Sequence, residues 1–107
     1  MSIQLTSQNY FSVTSQPVVV LDFWASWCGP CRMFGPIFEQ VAARYANRQG
    51  VVFAKCNIEE QPDIAKGFAV QAVPTVIILR GGQVAFRQSG LMRAAALDEV
   101  VERFSAT

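Results

Sequence analysis

The chain reads as an α/β domain with a central mixed β-sheet flanked by helices on both faces, and three observations predict it. Apolar runs rich in β-branched residues, at Val18–Trp24, Val51–Cys56 and Val76–Leu79, alternate with segments of helical periodicity. The first two runs enclose one long helical pattern, a strand–helix–strand unit whose crossover should be right-handed. Charged residues are 16% of the chain against 51% apolar, below the roughly 25% charged usual in soluble domains, which suits a sheet covered on both sides. With 107 residues the chain makes one ordinary domain, 1–107, able to bury roughly two-thirds of its unfolded surface.

A polar opening stretch allows a short helix from about Ser7, and Pro17 then introduces Val18–Trp24, the continuous run expected of a central strand. From Pro30, apolar residues recur at Met33, Phe34, Ile37, Phe38, Val41, Ala42 and Tyr45, the stripe of a core-facing helix. Pro36 lies inside it and removes one backbone hydrogen bond, and Gly50 ends the segment before the strand Val51–Cys56. Gln61–Ala69 is a weak helical pattern interrupted by Gly67. Val73-Pro74-Thr75 then leads into Val76–Leu79, and Gly81-Gly82 is a hairpin signal joining that strand to Gln83–Arg87. Leu97, Val100, Val101 and Phe104 form the apolar face of a closing helix.

Composition removes several function classes. The net charge is +1, and the basic residues are scattered from Arg32 to Arg103 without a cluster, which argues against nucleic acid as a partner. Neither a basic leader with an export-length apolar stretch nor a run of eighteen apolar residues is present, so a cytoplasmic location with no membrane association is expected. Histidine is absent. That removes Ser-His-Asp and Cys-His nucleophile pairs and the commonest zinc ligand, leaving Cys, carboxylates, Lys and backbone groups to carry any chemistry.

Cys28-Gly29-Pro30-Cys31 stands where a strand passes into a helix. Pro30 suits the first helical turn, so Cys28 falls at or just before the helix N-terminus, where unpaired N–H groups and the helix dipole stabilise an anion by about 0.3–2 kcal/mol. Cys28 is therefore the expected nucleophilic thiolate, and Cys31, one turn on, the resolving thiol that can attack a mixed disulfide. Two other readings of the pair exist. As a covalent staple, so short a loop would contribute only about 2 kcal/mol, and a reducing cytosol opposes its formation. As part of a zinc site it lacks a second pair, and binding would need Cys56 with a carboxylate, or two chains sharing the metal.

The longer stretch Asp22-Phe23-Trp24-Ala25-Ser26-Trp27-Cys28-Gly29-Pro30-Cys31 resembles the active-site segment of the thioredoxin family. Lys55 with Asn57-Ile58-Glu59, then Val73-Pro74-Thr75, Gly82 and Gly90, follow in the family's order, so the resemblance covers about Val18 to Phe104. It implies a thioredoxin-like fold and a protein-disulfide reductase of cytosolic type. No cofactor would be bound; the Cys28–Cys31 disulfide would receive electrons from NADPH through thioredoxin reductase. The implied partners are that reductase and disulfide-containing proteins, with the chain acting as a monomer. Pro74 resembles the family's cis-proline beside the active disulfide, and Trp27, Gly29, Pro30, Val73 and Gly90 resemble the patch that receives substrate.

Asp22 resembles the family's buried acid, able to take the proton from Cys31, with a pKa raised by burial; otherwise it is the wet side of a half-exposed strand. Lys55 resembles the lysine near that acid and reads equally well as a solvated strand residue. If Lys55 leans toward Asp22, strand alternation turns Cys56 to the other face, where it should be inert. Ala72, Ser89 and a short N-terminal region depart from the commonest family pattern and bear on partner choice. The other functional readings are a disulfide oxidase or isomerase, whose motif usually carries His between the cysteines, and a module whose thiols only bind metal or a partner.

Overall fold

The computed structural model describes residues 1–105; the last two positions of the expected 1–107 domain lie outside the described residues. In chain order the elements are β1 (Ile3–Gln4), α1 (Tyr10–Thr14), β2 (Val18–Trp24), α2 (Gly29–Arg44), β3 (Val51–Asn57), α3 (Pro62–Gly67), β4 (Thr75–Arg80), β5 (Gln83–Ser89) and α4 (Ala94–Ser105). The five strands form one sheet in the order β1-β3-β2-β4-β5. β3 runs parallel to β1 and β2, while β4 runs antiparallel to β2 and to β5, so the sheet is mixed as expected.

β2 lies at the centre, and alternation along it sorts the core into two halves. Val18 and Val20 point to Phe34, Phe38, Val41 and Val101 of α2 and α4. Val19, Leu21 and Phe23 point the other way, into a cluster with Val13 of α1 and Ala65 of α3. Each such fully buried side chain contributes about 1.5–3 kcal/mol of hydrophobic stabilisation, which explains why an uninterrupted apolar run is the mark of this strand. Gly81 and Gly82 take φ of 60° and 81°, the positive pair that a tight two-residue hairpin turn requires.

Three details differ from the sequence reading. β1 escaped it because a two-residue strand shows no periodicity; Ile3 and Gln4 are exposed and are held by pairing with Ala54 and Lys55. The helix is regular only from Tyr10, three residues after the expected start near Ser7; residues 7–9 form a turn that opens on a reciprocal pair, the Thr6 N–H donating to Asn9 Oδ1 (2.8 Å) and the Asn9 N–H to Thr6 Oγ1 (3.3 Å). Met33, counted in the apolar stripe of α2, is 63% exposed. On the helical wheel it lies about 100° from Phe34, outside the arc centred on Phe34, Phe38 and Val41.

Candidate active site

Cys28 is the N-cap of α2, with extended backbone (φ −91°, ψ 113°) and Pro30 within the first turn. Its Sγ accepts the Cys31 backbone N–H at 3.1 Å. Cys28 and Cys31 are joined as a disulfide, their Cα atoms 5.3 Å apart. A sulfur in this place feels the positive end of a sixteen-residue helix, so the anion formed on reduction is stabilised at Cys28 before Cys31. Both cysteines are buried, whereas the preceding Trp27 is 65% exposed and the Cα of Gly29 faces open space. The loop carrying them is braced from the next crossover: Glu59 Oε1 accepts from the Ser26 N–H (3.1 Å) and hydroxyl (2.8 Å), and Arg32 donates to the Ser26 carbonyl (2.8 Å).

The Val73-Pro74 peptide bond is cis, in agreement with the resemblance. The Val73 carbonyl oxygen lies 3.6 Å from Cys28 Sγ, and Val73 packs against the buried cluster of Ala25, Cys28 and Cys31. Gly90, with φ of 98°, donates its N–H to the Pro74 carbonyl at 2.8 Å, which brings it to the same end of the sheet. Thr75 ties this loop together, its hydroxyl donating to the Ala72 carbonyl (2.5 Å) and meeting the Ser89 hydroxyl at 2.9 Å. Ala72 and Ser89 thus share one bracing hydroxyl.

Behind the disulfide, Asp22 is 1% exposed and sits on the α2 face of the sheet, in register with Lys55 on one side and Val76 on the other. Burial pushes its carboxyl up to about 7, against the pull of the Lys55 ammonium and with the Glu39 carboxylate adding to the rise. Among the described residues, its Oδ1 finds no hydrogen-bond partner, and neither does the buried Trp24 Nε1. Lys55 is half-buried, its Nζ 5.3 Å from the centre of the Trp24 ring, a cation–π arrangement. A groove of about 400 Å³ opens here, lined by Trp24, Cys31, Arg32, Gly35, Pro36, Glu39 and Lys55.

All ten residues singled out in the sequence fall at or behind this one end of the sheet. Eight of them, from Trp27 to Gly90, frame the disulfide, while Asp22 and Lys55 lie beneath it. Trp24 and Glu39 were not read as part of the site. For Glu39 a signal existed: Cys31, Gly35 and Glu39 recur every four residues, which places them along one face of a helix. Among the described residues no group of three or more Cys, Asp or Glu gathers where it could hold a metal, and Cys56 is packed in the opposite half of the core. Among the described residues, no helix is long and apolar enough to cross a membrane.

Comparison with known proteins bears on this geometry. The Thioredoxin family model matches residues 1–103. The chain is 38% identical over 91 residues to a thioredoxin of Chlorobaculum thiosulfatiphilum, covering 83% of this chain and 82% of that one. It is also 38% identical over 98 residues to the bifunctional thioredoxin reductase/thioredoxin of Mycobacterium leprae, covering 90% of this chain and 21% of that much longer protein. Among solved structures, a mutant thioredoxin from Halobacterium salinarum NRC-1 superposes with a TM-score of 0.86 at 30% identity, over 99% of this chain and 92% of that one.

Proposed function

The chain belongs to the thioredoxin family and exchanges dithiol for disulfide through Cys28 and Cys31; from that premise we propose that it reduces disulfides in other proteins as an electron donor. The observation that carries this reading is the placement of Cys28 Sγ at the N-terminus of α2, with the Cys31 N–H directed at it.

The Cys28 thiolate attacks one sulfur of a substrate disulfide, forming a mixed disulfide and displacing the other substrate sulfur as a thiolate. Cys31 then gives its proton to Asp22 and attacks Cys28 Sγ; the intramolecular disulfide forms and the second substrate thiolate leaves. Two electrons pass to the substrate. Asp22 suits the task because a carboxyl titrating at about 7 can both accept and release a proton near neutrality. Lys55 supplies the charge that keeps the ionised form within reach. Trp27, Gly29, Pro30, Val73, Pro74 and Gly90 are the surface onto which an extended substrate segment docks, with the backbone beside Pro74 as its strand-like partner.

Regeneration needs two electrons from outside, and NADPH acting through a thioredoxin reductase is the source proposed; this chain then binds no cofactor of its own. The fused reductase of the Mycobacterium leprae relative supports that partnership. A monomer working in the cytoplasm completes the reading. The test is insulin reduction coupled to NADPH and a thioredoxin reductase, with the reduction potential measured on the same preparation. Turnover at a reducing potential is the expected result. An oxidising potential without insulin reduction would instead assign the chain to disulfide donation or isomerisation.

A further inference from the structure

The residue just ahead of the first strand reaches the groove behind the disulfide at Glu39. Glu39 projects from the third turn of α2, on the helix face that also carries Cys31 and Gly35. Its two carboxylate oxygens are divided between partners in the N-terminal segment: the Ser2 N–H donates to Oε1 at 3.1 Å and the Ser2 hydroxyl to Oε2. Ser2 immediately precedes β1, whose pairing with β3 runs Ile3 to Ala54 and Gln4 to Lys55. One end of a marginal two-residue strand therefore grips a carboxylate in the groove, while the strand itself pairs with the backbone of the groove's lysine.

We propose that Glu39, clamped by Ser2, is a positioning residue that sets the pH at which Asp22 accepts the Cys31 proton. This rests on the proton-acceptor role of Asp22 stated above. Clamped, the Glu39 carboxylate stays at the rim and leaves the Lys55 ammonium directed at Trp24 and Asp22. Its negative charge adds to the burial that disfavours ionised Asp22. Released, the carboxylate is free to swing to Lys55, whose Nζ stands 3.7 Å from the point a Gly35 side chain would occupy on the same wall. Such a pair would draw the ammonium away from Asp22 and favour its protonated form further. The charged groups acting on Asp22 are Lys55 from β3 and Glu39 from α2; Cys31 and Arg32 of α2 line the same groove, with the Arg32 guanidinium turned to the Ser26 carbonyl, and the β4 neighbour Val76 carries no charge.

Two substitutions then act with opposite sign. Glu39→Gln keeps an acceptor for Ser2 but removes the charge, so the Asp22 titration midpoint should fall. Ser2→Ala removes one donor and loosens the clamp, so the midpoint should rise. The Asp22 carboxyl carbon resonance of the reduced protein, followed through a pH titration, reads both, and the acid limb of the insulin-reduction profile should move with it. Midpoints unchanged in either variant, or displaced in the same direction, overturn the inference. Asp22→Asn separates this from failure of the underlying reading: if that variant keeps the wild-type pH profile, Asp22 is not the acceptor, whatever Glu39 does.

Discussion

The two faces of the sheet handle the same element, sulfur, in opposite ways. On the α2 face the chain gathers a thiol pair at a helix N-terminus, a buried carboxyl, a lysine and a groove that admits solvent. On the α1/α3 face Cys56 lies among Leu5, Leu21, Phe23, Ala54 and Ala65, 0% exposed, and burial pushes its thiol up to about 11. Adjacent residues of one strand, Lys55 and Cys56, divide between these environments because strand side chains alternate. Reactivity here is a property of surroundings. A thiol becomes a nucleophile where dipoles favour its anion, and stays a small hydrophobe where nothing does.

The contrast breaks hardest within the reactive pair itself. Cys28→Ser should reduce disulfide turnover to background, whereas Cys31→Ser should form the first bond and stop, accumulating mixed disulfides that survive non-reducing electrophoresis. If both variants trapped partners equally, the helix N-terminus would not be selecting the nucleophile.

The next largest effect belongs to Asp22, whose surroundings resemble the dry face more than the wet one. Its carboxyl rises from 3.8 to about 7 on folding, so between these values the native protein holds a proton that the unfolded chain has lost. Stability is accordingly full below about pH 4 and declines as pH rises toward 7, by on the order of 4 kcal/mol in all. Asp22→Asn should therefore raise the thermal midpoint at pH 8, change it little at pH 4, and slow turnover. Equal melting of the two proteins at pH 8 would mean that the carboxylate is solvated in the native state.

What could be read from the sequence follows from which forces leave a local trace. β2 and α2 were legible because burial on two faces, or on one helical stripe, writes hydrophobic periodicity directly into the chain, and Gly81-Gly82 because only glycine takes two consecutive positive φ angles cheaply. Cys28, Cys31, Trp27 and Pro74 were legible through adjacency and motif. β1 left no trace, being held by backbone hydrogen bonds that any residue can make. Met33 misled because an apolar residue type does not by itself mark burial: it lies off the buried stripe of α2 and is exposed. Glu39 and Trp24 went unread since their part in the groove depends on partners elsewhere in the chain: Ser2 is 37 residues from Glu39, and Lys55 reaches Trp24 only across paired strands.

The smallest effect is expected on the quiet face, and its smallness sharpens the comparison. Cys56→Ala removes one buried sulfur from a packed cluster, which should cost about 1 kcal/mol of stability and leave insulin reduction unchanged. A thiol with a pKa near 11 is almost wholly protonated at neutral pH, and attack on an alkylating reagent requires the thiolate as well as a path to it. Cys56 lacks both, since α1, α3 and the sheet enclose it. In the oxidised protein, where Cys28 and Cys31 are closed to reagent, thiol counting should give no labelling under native conditions and one thiol after denaturation. Rapid native labelling would show that this half of the core opens on the timescale of the reaction, and the division of the sheet into a reactive and an inert face would fail with it.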